Sequence, residues 1–316
     1  MSQHYAWELS QKQSLPLEAK VKLTQVRIRE WYDAFDGDVY VSFSGGKDST
    51  VLLHIARQIY PDIPAVFCDT GLEYPEIKDF VKVIPNITIV RPKINFRRVI
   101  EKYGYPVISK EVSRDVGRTQ RDGGINKRGE RTWAWKSLHG EFNRQYANKT
   151  KWEYLVNAPF NLSDECCGIM KKSPLHEYGK QTGSKPIIAT MASESRQRRM
   201  NWLKHGCNAL DSKDPKSTPM SFWTEQDVLQ YLKEYEVPYC PVYGEIVNDK
   251  NGKLHTTGCD RTGCMFCMFG VHREKEPNRF QRMKETHPQI YEYCMKPMDE
   301  GGLGLAEVLD FISVKH

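Results

Sequence analysis

The sequence predicts an α/β protein. An open, mostly parallel, Rossmann-like sheet carries helices on both faces, and a Cys-rich, mainly helical segment follows it. Three observations predict this. Short apolar, β-branched runs alternate with stretches of helical periodicity through the first ninety residues, the pattern of βαβ units and a parallel sheet. The first such run breaks into "SGGKDS" and then a helix, an order suited to holding an anion. After about residue 200 the alternation gives way to short helices and loops around cysteines.

The elements follow in order. "LEAKVKLTQVRIREWYDAF" (17 to 35) places Leu17, Val21, Val26 and Trp31 at roughly helical spacing, an amphipathic helix packed on a core. Strands are expected at "DVYVSF" (38 to 43), "PAVFCDT" (64 to 70), "NITIVRP" (86 to 92) and "KPIIATM" (185 to 191). Helices fall between them at 48 to 60 and 73 to 84. "TEQDVLQYLKEYEV" (224 to 237) is a helix capped by Thr224 with Asp227 three residues later. The expected division is a helical segment at 1–37, an α/β domain at 38–220, and a Cys-rich, mainly helical segment at 221–316. The α/β domain is interrupted by a basic insertion at 109–151.

The chain has 316 residues, enough for a sizeable core. No apolar run approaches the roughly 20 residues of a membrane helix. The start lacks a basic region followed by an apolar core, so no secretory signal is expected. A cytoplasmic location with no membrane partner follows. Net charge is +6, which suits either a mildly basic soluble protein or one with an anionic partner. "SKEVSRDVGRTQRDGGINKRGERTWAWK" (109 to 136) is rich in Lys and Arg, with Trp133 and Trp135 close by. It reads as a grip for single-stranded nucleic acid, or as a solvated insertion with two packed tryptophans. The nine cysteines argue for metal or redox chemistry rather than structural disulfides.

Strand, "SGGKDS", helix has a direct physical meaning. Gly45 and Gly46 let backbone N–H groups approach an anion without a Cβ in the way. The helix near Asp48 offers its positive end. Ser44, Ser49 and Thr50 add hydroxyls and Lys47 adds charge. The spacing is not that of the standard P-loop. Cys264 and Cys267 form a Cys-x-x-Cys, ambiguous alone between metal and redox use. With Cys166 and Cys167 they make four soft thiolates, which suit zinc or an iron–sulfur cluster.

"SFSGGKDSTVLL" resembles the pyrophosphate loop (PP-loop) of the adenine-nucleotide α-hydrolase superfamily. "FCDTGLEYPEI" (67 to 77) looks like the Asp-Thr-Gly segment of its phosphoadenosine phosphosulfate (PAPS) reductase family, and "SFWTEQDVLQYLKEYEVPYCPVY" (221 to 243) is similar to a further stretch of that family. The resemblance implies a PP-loop fold with its site at the carboxyl ends of the strands. Ser44, Gly45, Gly46, Lys47, Asp48, Ser49 and Thr50 would hold a pyrophosphate or a phosphosulfate, with Asp69, Thr70 and Gly71 against an adenine nucleotide. Asp48 would contact magnesium if ATP is used, or simply cap the helix. The cysteine layout resembles that of the cluster-bearing reductases, implying a [4Fe-4S] cluster on Cys166, Cys167, Cys264 and Cys267, with Zn2+ as the alternative. Cys259 is a substitute ligand, a sulfur carrier or a packed residue. Cys68, Cys207, Cys240 and Cys294 read as core cysteines.

Two departures from the family pattern matter. Glu194, Ser195 and Arg198 fit, but Ala192 and Ser193 stand where reductases carry an arginine pair. Arg196 and Arg199 are the candidates to compensate. Cys294 lacks the Gly and His context of the reductases' tail nucleophile, and "GLAEVLDFI" reads as a packed helix. The expected function is therefore ATP-dependent adenylation of a substrate followed by thiolation. Lys47, Asp48 and Arg198 are its catalytic candidates and Glu194 joins the nucleotide site. The acceptor is expected to be nucleic acid, DNA as in related phosphorothioation proteins or tRNA, with a cysteine desulfurase as sulfur donor. The alternatives are reduction of adenylylsulfate or its 3′-phosphorylated form with thioredoxin, and a non-catalytic nucleotide-binding regulatory protein.

Overall fold

A computed structural model describes residues 4–142 and 148–316. Residues 143–147 of the expected basic insertion lie outside the described residues. In chain order the first elements are α1 (Ala6–Gln13), α2 (Leu17–Ala34), β1 (Val39–Phe43), α3 (Lys47–Ile59), β2 (Ala65–Cys68), α4 (Pro75–Lys82) and β3 (Ile87–Val90). Next come α5 (Phe96–Tyr103), β4 (Val107–Ile108), α6 (Lys110–Asp122), α7 (Trp133–Leu138), α8 (Ser173–Thr182), β5 (Lys185–Ile188) and α9 (Arg196–His205). The remainder is β6 (Asn208–Ala209), β7 (Lys216–Ser217), α10 (Glu225–Glu234), β8 (Ile246–Asn248), β9 (Leu254–Thr256), β10 (Met268–Phe269), α11 (Arg279–Thr286), α12 (Pro288–Met295) and α13 (Leu305–Phe311). The expected α/β class is what forms. None of the described helices is long and apolar enough to cross a membrane.

The chain folds into two compact units that are discontinuous in sequence. Unit 1 comprises 1–69, 73–91 and 174–262; unit 2 comprises 70–72, 92–173 and 263–316. The 109–151 segment thus falls in unit 2, together with all four paired cysteines.

Unit 1 holds a six-stranded sheet in the order β3-β2-β1-β5-β7-β6. Its pairings are parallel except the last, where edge strand β6 runs antiparallel to β7. Val39, Tyr40, Val41 and Phe43 of β1 are all buried, as expected of a central parallel strand covered on both faces. The order reverses between β1 and β5. In open α/β sheets that switch point, at the carboxyl ends of the strands, is where ligands bind. The residues that follow β1 and β5 are therefore the ones placed for chemistry.

Helix α2 packs by the stripe the sequence suggested, except at Val26. Leu17, Val21, Thr24, Ile28 and Trp31 are buried, while Val26 is 41% exposed. At 100° per residue, position 26 lies half a turn out of phase with position 17. The stripe also carries Lys20, 2% exposed, whose Nζ binds both carboxylate oxygens of Asp227 at 2.7 Å. Asp227 in turn caps α10 by accepting from the Thr224 N–H at 2.7 Å. Removing one member of a buried ion pair leaves an uncompensated charge. Lys20→Met is expected to cost about 3–5 kcal/mol in denaturant unfolding, far more than loss of an exposed lysine.

In unit 2 the segment 105–108 is the organiser. Tyr105 bridges Leu162, with Tyr105 N–H donating to Asn161 O at 2.8 Å and Ser163 N–H donating to Tyr105 O at 3.0 Å. On the same segment β4 pairs in parallel with β10, Val107 opposite Met268. The approach at 104–105 is close. Gly104 has φ +106°, and a Cβ there would sit 2.3 Å from Asn161 O, so only glycine serves.

Candidate functional site

The loop after β1 enters α3 at Lys47. Gly45 takes φ +71°, and a Cβ on it would lie 2.8 Å from Ile77 Cγ2 of α4. The loop is held by its own hydroxyls. Ser49 Oγ accepts from Ser44 N–H at 3.2 Å and donates to Gly46 O at 2.9 Å, and Thr50 Oγ1 donates to Gly46 O at 3.0 Å. The hydroxyls expected to reach an anion thus also fix the backbone that would cradle it.

Lys47 is 4% exposed. Its ammonium donates to Asp260 O and pairs with Glu225 Oε1 at 2.9 Å. Its backbone N–H donates to Tyr243 Oη at 3.2 Å, and Tyr243 Oη also hydrogen-bonds Thr262 Oγ1. Asp48, in the first turn of α3, is different. Its Oδ1 is buried and has no hydrogen-bond partner among the described residues. Burial pushes its carboxyl above the usual range, against the pull of Lys47, Arg261 and Arg198. It does not cap the helix by a side-chain hydrogen bond.

The loop after β5 completes the site from the far side of the switch point. Glu194 pairs with Arg198, and Arg261 Nη1 stands 3.7 Å from Glu194 Oε1. Glu194 Oε2 also accepts from Met191 N–H at 3.0 Å. Arg196 and Arg199, the expected compensators, are exposed on α9. The second guanidinium comes instead from Arg261, which the sequence reading passed over. Asp260 and Thr262 beside it, which meet Lys47 and Tyr243, were not among the expected site residues either. The only sequence signal was their place in "CDRTGC", polar residues between two cysteines.

Of the expected site residues, unit 1 holds 44–50, Asp69, Glu194 and Arg198. Asp69, at the end of β2, faces Lys78 Nζ at 3.4 Å and Arg91 Nε at 3.1 Å. Thr70 and Gly71 belong to unit 2, where Thr70 is buried and its Oγ1 accepts from Leu72 N–H at 3.2 Å.

None of the nine cysteines is in a disulfide. Unit 2 draws Cys166, Cys167, Cys264 and Cys267 toward one another because both pairs hang on 105–108, through Leu162 and Met268. Burial raises the Cys166 thiol, and thiolate charge on Cys264, Cys167 and Cys267 raises it further. Burial also raises Cys267, while Arg279 and Lys171 favour its thiolate. Cys167 leads into a π-helical turn, Gly168–Lys172, a distortion common at functional sites. Among the described residues no three His, Cys, Asp or Glu side chains are arranged to hold a metal ion. The donor set itself, four coupled soft thiols with flanking cations, fits an iron–sulfur or zinc centre.

Residues 38–114 and 135–269 match the phosphoadenosine phosphosulfate reductase domain. The chain belongs to this family. An uncharacterized protein of Methanocaldococcus jannaschii is 22% identical over 298 residues, covering 89% of this chain and 53% of its own. A second from that organism is 24% identical and is covered over 42% of its length. The chain therefore spans about half the length of these curated relatives. Adenosine 5'-phosphosulfate reductase of Staphylococcus epidermidis is 23% identical over 256 residues, covering 77% of this chain and 76% of the reductase. Among solved structures, the PAPS reductase of Candida auris in a phosphate complex aligns with TM-score 0.38 and 17% identity, covering 76% of this chain and 98% of that one. A U34-tRNA thiolase of Methanococcus maripaludis with its [4Fe-4S] cluster aligns with TM-score 0.36 and 16% identity, covering 70% of this chain and 66% of that one. The family match takes in loop 44–50, Glu194, Arg198, Arg261 and all four paired cysteines, and it breaks off between 114 and 135.

Proposed function

We propose that this PAPS reductase family chain binds ATP and magnesium and adenylates an acceptor for sulfur transfer. One observation carries the reading: the buried, unpartnered carboxylate oxygen of Asp48, set within an anion cradle beside Lys47, Arg198 and Arg261. A phosphosulfate asks only for cations and N–H donors. A buried carboxylate without a partner makes sense where a divalent cation arrives with a polyphosphate.

In the proposed reaction an acceptor oxygen attacks the α-phosphorus of ATP, and the bond to the leaving pyrophosphate breaks. Loop 44–50 and the N-terminal end of α3 receive the pyrophosphate. Lys47 exchanges Glu225 for the leaving oxygens, while Arg198 and Arg261, oriented by Glu194, face the charge that develops. Magnesium on Asp48 would supply neutralisation of that charge. A persulfide donor fed by a cysteine desulfurase is reduced by a thiol to hydrosulfide, which attacks the adenylated atom of the acceptor, breaks its bond to the AMP oxygen and releases AMP; the acceptor is nucleic acid. Cys166, Cys167, Cys264 and Cys267 would hold the [4Fe-4S] cluster, which supplies iron able to bind sulfur or electrons. The expected setting is cytoplasmic.

A second reading, reduction of adenylylsulfate with thioredoxin, is favoured by the named function of the staphylococcal relative. Cys294 does not serve it. It is fully buried on α12, and burial pushes its thiol up to about 12. At neutral pH only about one in 10⁵ of such thiols is ionised.

The test is pyrophosphate release by anaerobically reconstituted protein given ATP, Mg2+ and single-stranded nucleic acid. Release is expected, and Lys47→Ala is expected to cut it at least about hundredfold. Sulfite from adenylylsulfate and thioredoxin without ATP turnover would sink the proposal. Tight nucleotide binding with neither activity would leave a regulatory protein.

A further inference from the structure

The 109–151 segment holds eleven Lys and Arg against five Asp and Glu. That excess of six equals the net charge of the whole chain, +6, so the remaining residues balance. The charge is concentrated, and the fold displays it. On α6, Val112, Ser113, Asp115, Val116 and Thr119 are buried. Lys110, Arg114, Arg118 and Arg121 recur at helical spacing on the other side, and all but the half-buried Arg114 are exposed. Past α6 a tight hairpin is closed by the antiparallel bridge of Ile125 with Arg131.

Of the acidic residues here, buried Asp115 pairs with Lys149 at 3.1 Å and with Arg114 at 3.5 Å, and Asp122 and Glu130 are engaged within the hairpin. Asp122 Oδ1 accepts from Gly124 N–H at 2.9 Å, and Glu130 Oε2 accepts from Asn126 Nδ2 at 2.9 Å. Asn126 Oδ1 takes the N–H groups of Arg128 and Glu130 at 2.9 and 3.0 Å. This rigid turn leaves Lys127 and Arg128 exposed at its tip, with no ion pair to an acidic group among the described residues. The hairpin is fastened to α7. Thr132 N–H donates to Gly124 O at 2.9 Å, and the Trp135 indole lies so near Gly124 that a Cβ would sit 2.2 Å from its Cδ1. Trp135 stacks on His139, centroids 3.7 Å apart, with the Arg131 guanidinium 4.1 Å from its ring. Trp133, by contrast, is 54% exposed, with Lys149 Nζ 4.9 Å from its ring.

We propose that α6, the hairpin and Trp133 form a docking surface for a single-stranded nucleic-acid segment. The cations track phosphates and the open indole stacks an unpaired base. A duplex keeps its bases stacked and offers Trp133 nothing. The hairpin and Trp133 lie in 115–134, outside the residues that match the family domain. The docking surface deepens the proposed nucleic-acid acceptor and rests on that reading.

The experiment measures binding of fluorescent twelve-nucleotide RNA and DNA single strands, their duplexes and anionic vesicles, without ATP. Single strands are expected to bind with quenching of tryptophan emission. Affinity should fall with salt at a log–log slope of about −3. Lys127→Glu with Arg128→Glu should weaken binding at least about tenfold, and Trp133→Ala about tenfold. Whichever of RNA or DNA binds more tightly identifies the acceptor's sugar. If Trp133→Ala fails to fold, the exposed pair Lys127 and Arg128 carries the test alone. Equal binding by the variants, preference for duplex, or a response to vesicles alone would overturn the proposal. Loss of strand binding with pyrophosphate release intact would remove this surface and not the chemistry of the loop.

Discussion

Asp48→Asn is expected to make the ligand-free protein more stable and the enzyme nearly inactive. The side chain is half-buried, its Oδ1 is buried without a partner among the described residues, and burial raises the carboxyl above the ordinary range. Unfolded, an aspartate titrates near about 3.9. Below that value both states are protonated and Asp48 costs nothing. As pH rises through the raised folded value, the folded state must hold the charge and stability is lost. The asparagine escapes this. Its advantage should vanish in acid and reach about 1 kcal/mol, or ~2 °C in melting temperature, near neutrality. Pyrophosphate release should fall about 10²–10³-fold. MgATP should reverse the order of stability, since only wild type gains the metal-linked binding energy. If the asparagine variant gains as much from MgATP as wild type, Asp48 does not hold the cation.

The second large effect concerns the thiols. Cys166→Ser or Cys267→Ser is expected to abolish most metal retention, read as iron and acid-labile sulfide per chain and as loss of the thiolate-to-iron charge-transfer band. Resistance to a chelator should fall at least about tenfold. Cys294→Ser and Cys240→Ser, at buried positions elsewhere, should retain the full metal complement. The pH dependence has a definite sign. Burial raises Cys166 and Cys267, so the metal-free thiols are protonated near neutrality and loading releases protons. Retention should therefore improve as pH rises. A Cys267→Ser protein with a full cluster would refute the ligand set.

Much of the 44–50 loop was legible because its geometry is local. Two glycines between a strand and a helix set a tight turn, and Gly45 takes the left-handed conformation such a turn needs. The α10 cap was legible for the same reason: Thr224 and Asp227 lie three residues apart and bond to each other's backbone. Arg261 was not. It lies more than 200 residues beyond loop 44–50, and its place between two cysteines is a weak signal. Val26 misled because a spacing of nine residues looks helical by eye and is half a turn out of phase. Trp133 and Trp135 read alike in the sequence, yet one is an exposed platform and the other is clamped by Gly124, Arg131 and His139.

The sequence by itself determined the βαβ alternation, the glycine-rich turn after β1 and the inventory of paired cysteines. Propensity, glycine conformation and capping act over a few residues and are written there. Only the tertiary structure decided the strand order, with its reversal between β1 and β5, and which arginine joins Glu194. It also decided that two cysteine pairs about a hundred residues apart both hang on 105–108. Those outcomes depend on which distant segments bury one another's apolar faces and satisfy one another's backbone groups, and no local pattern encodes them.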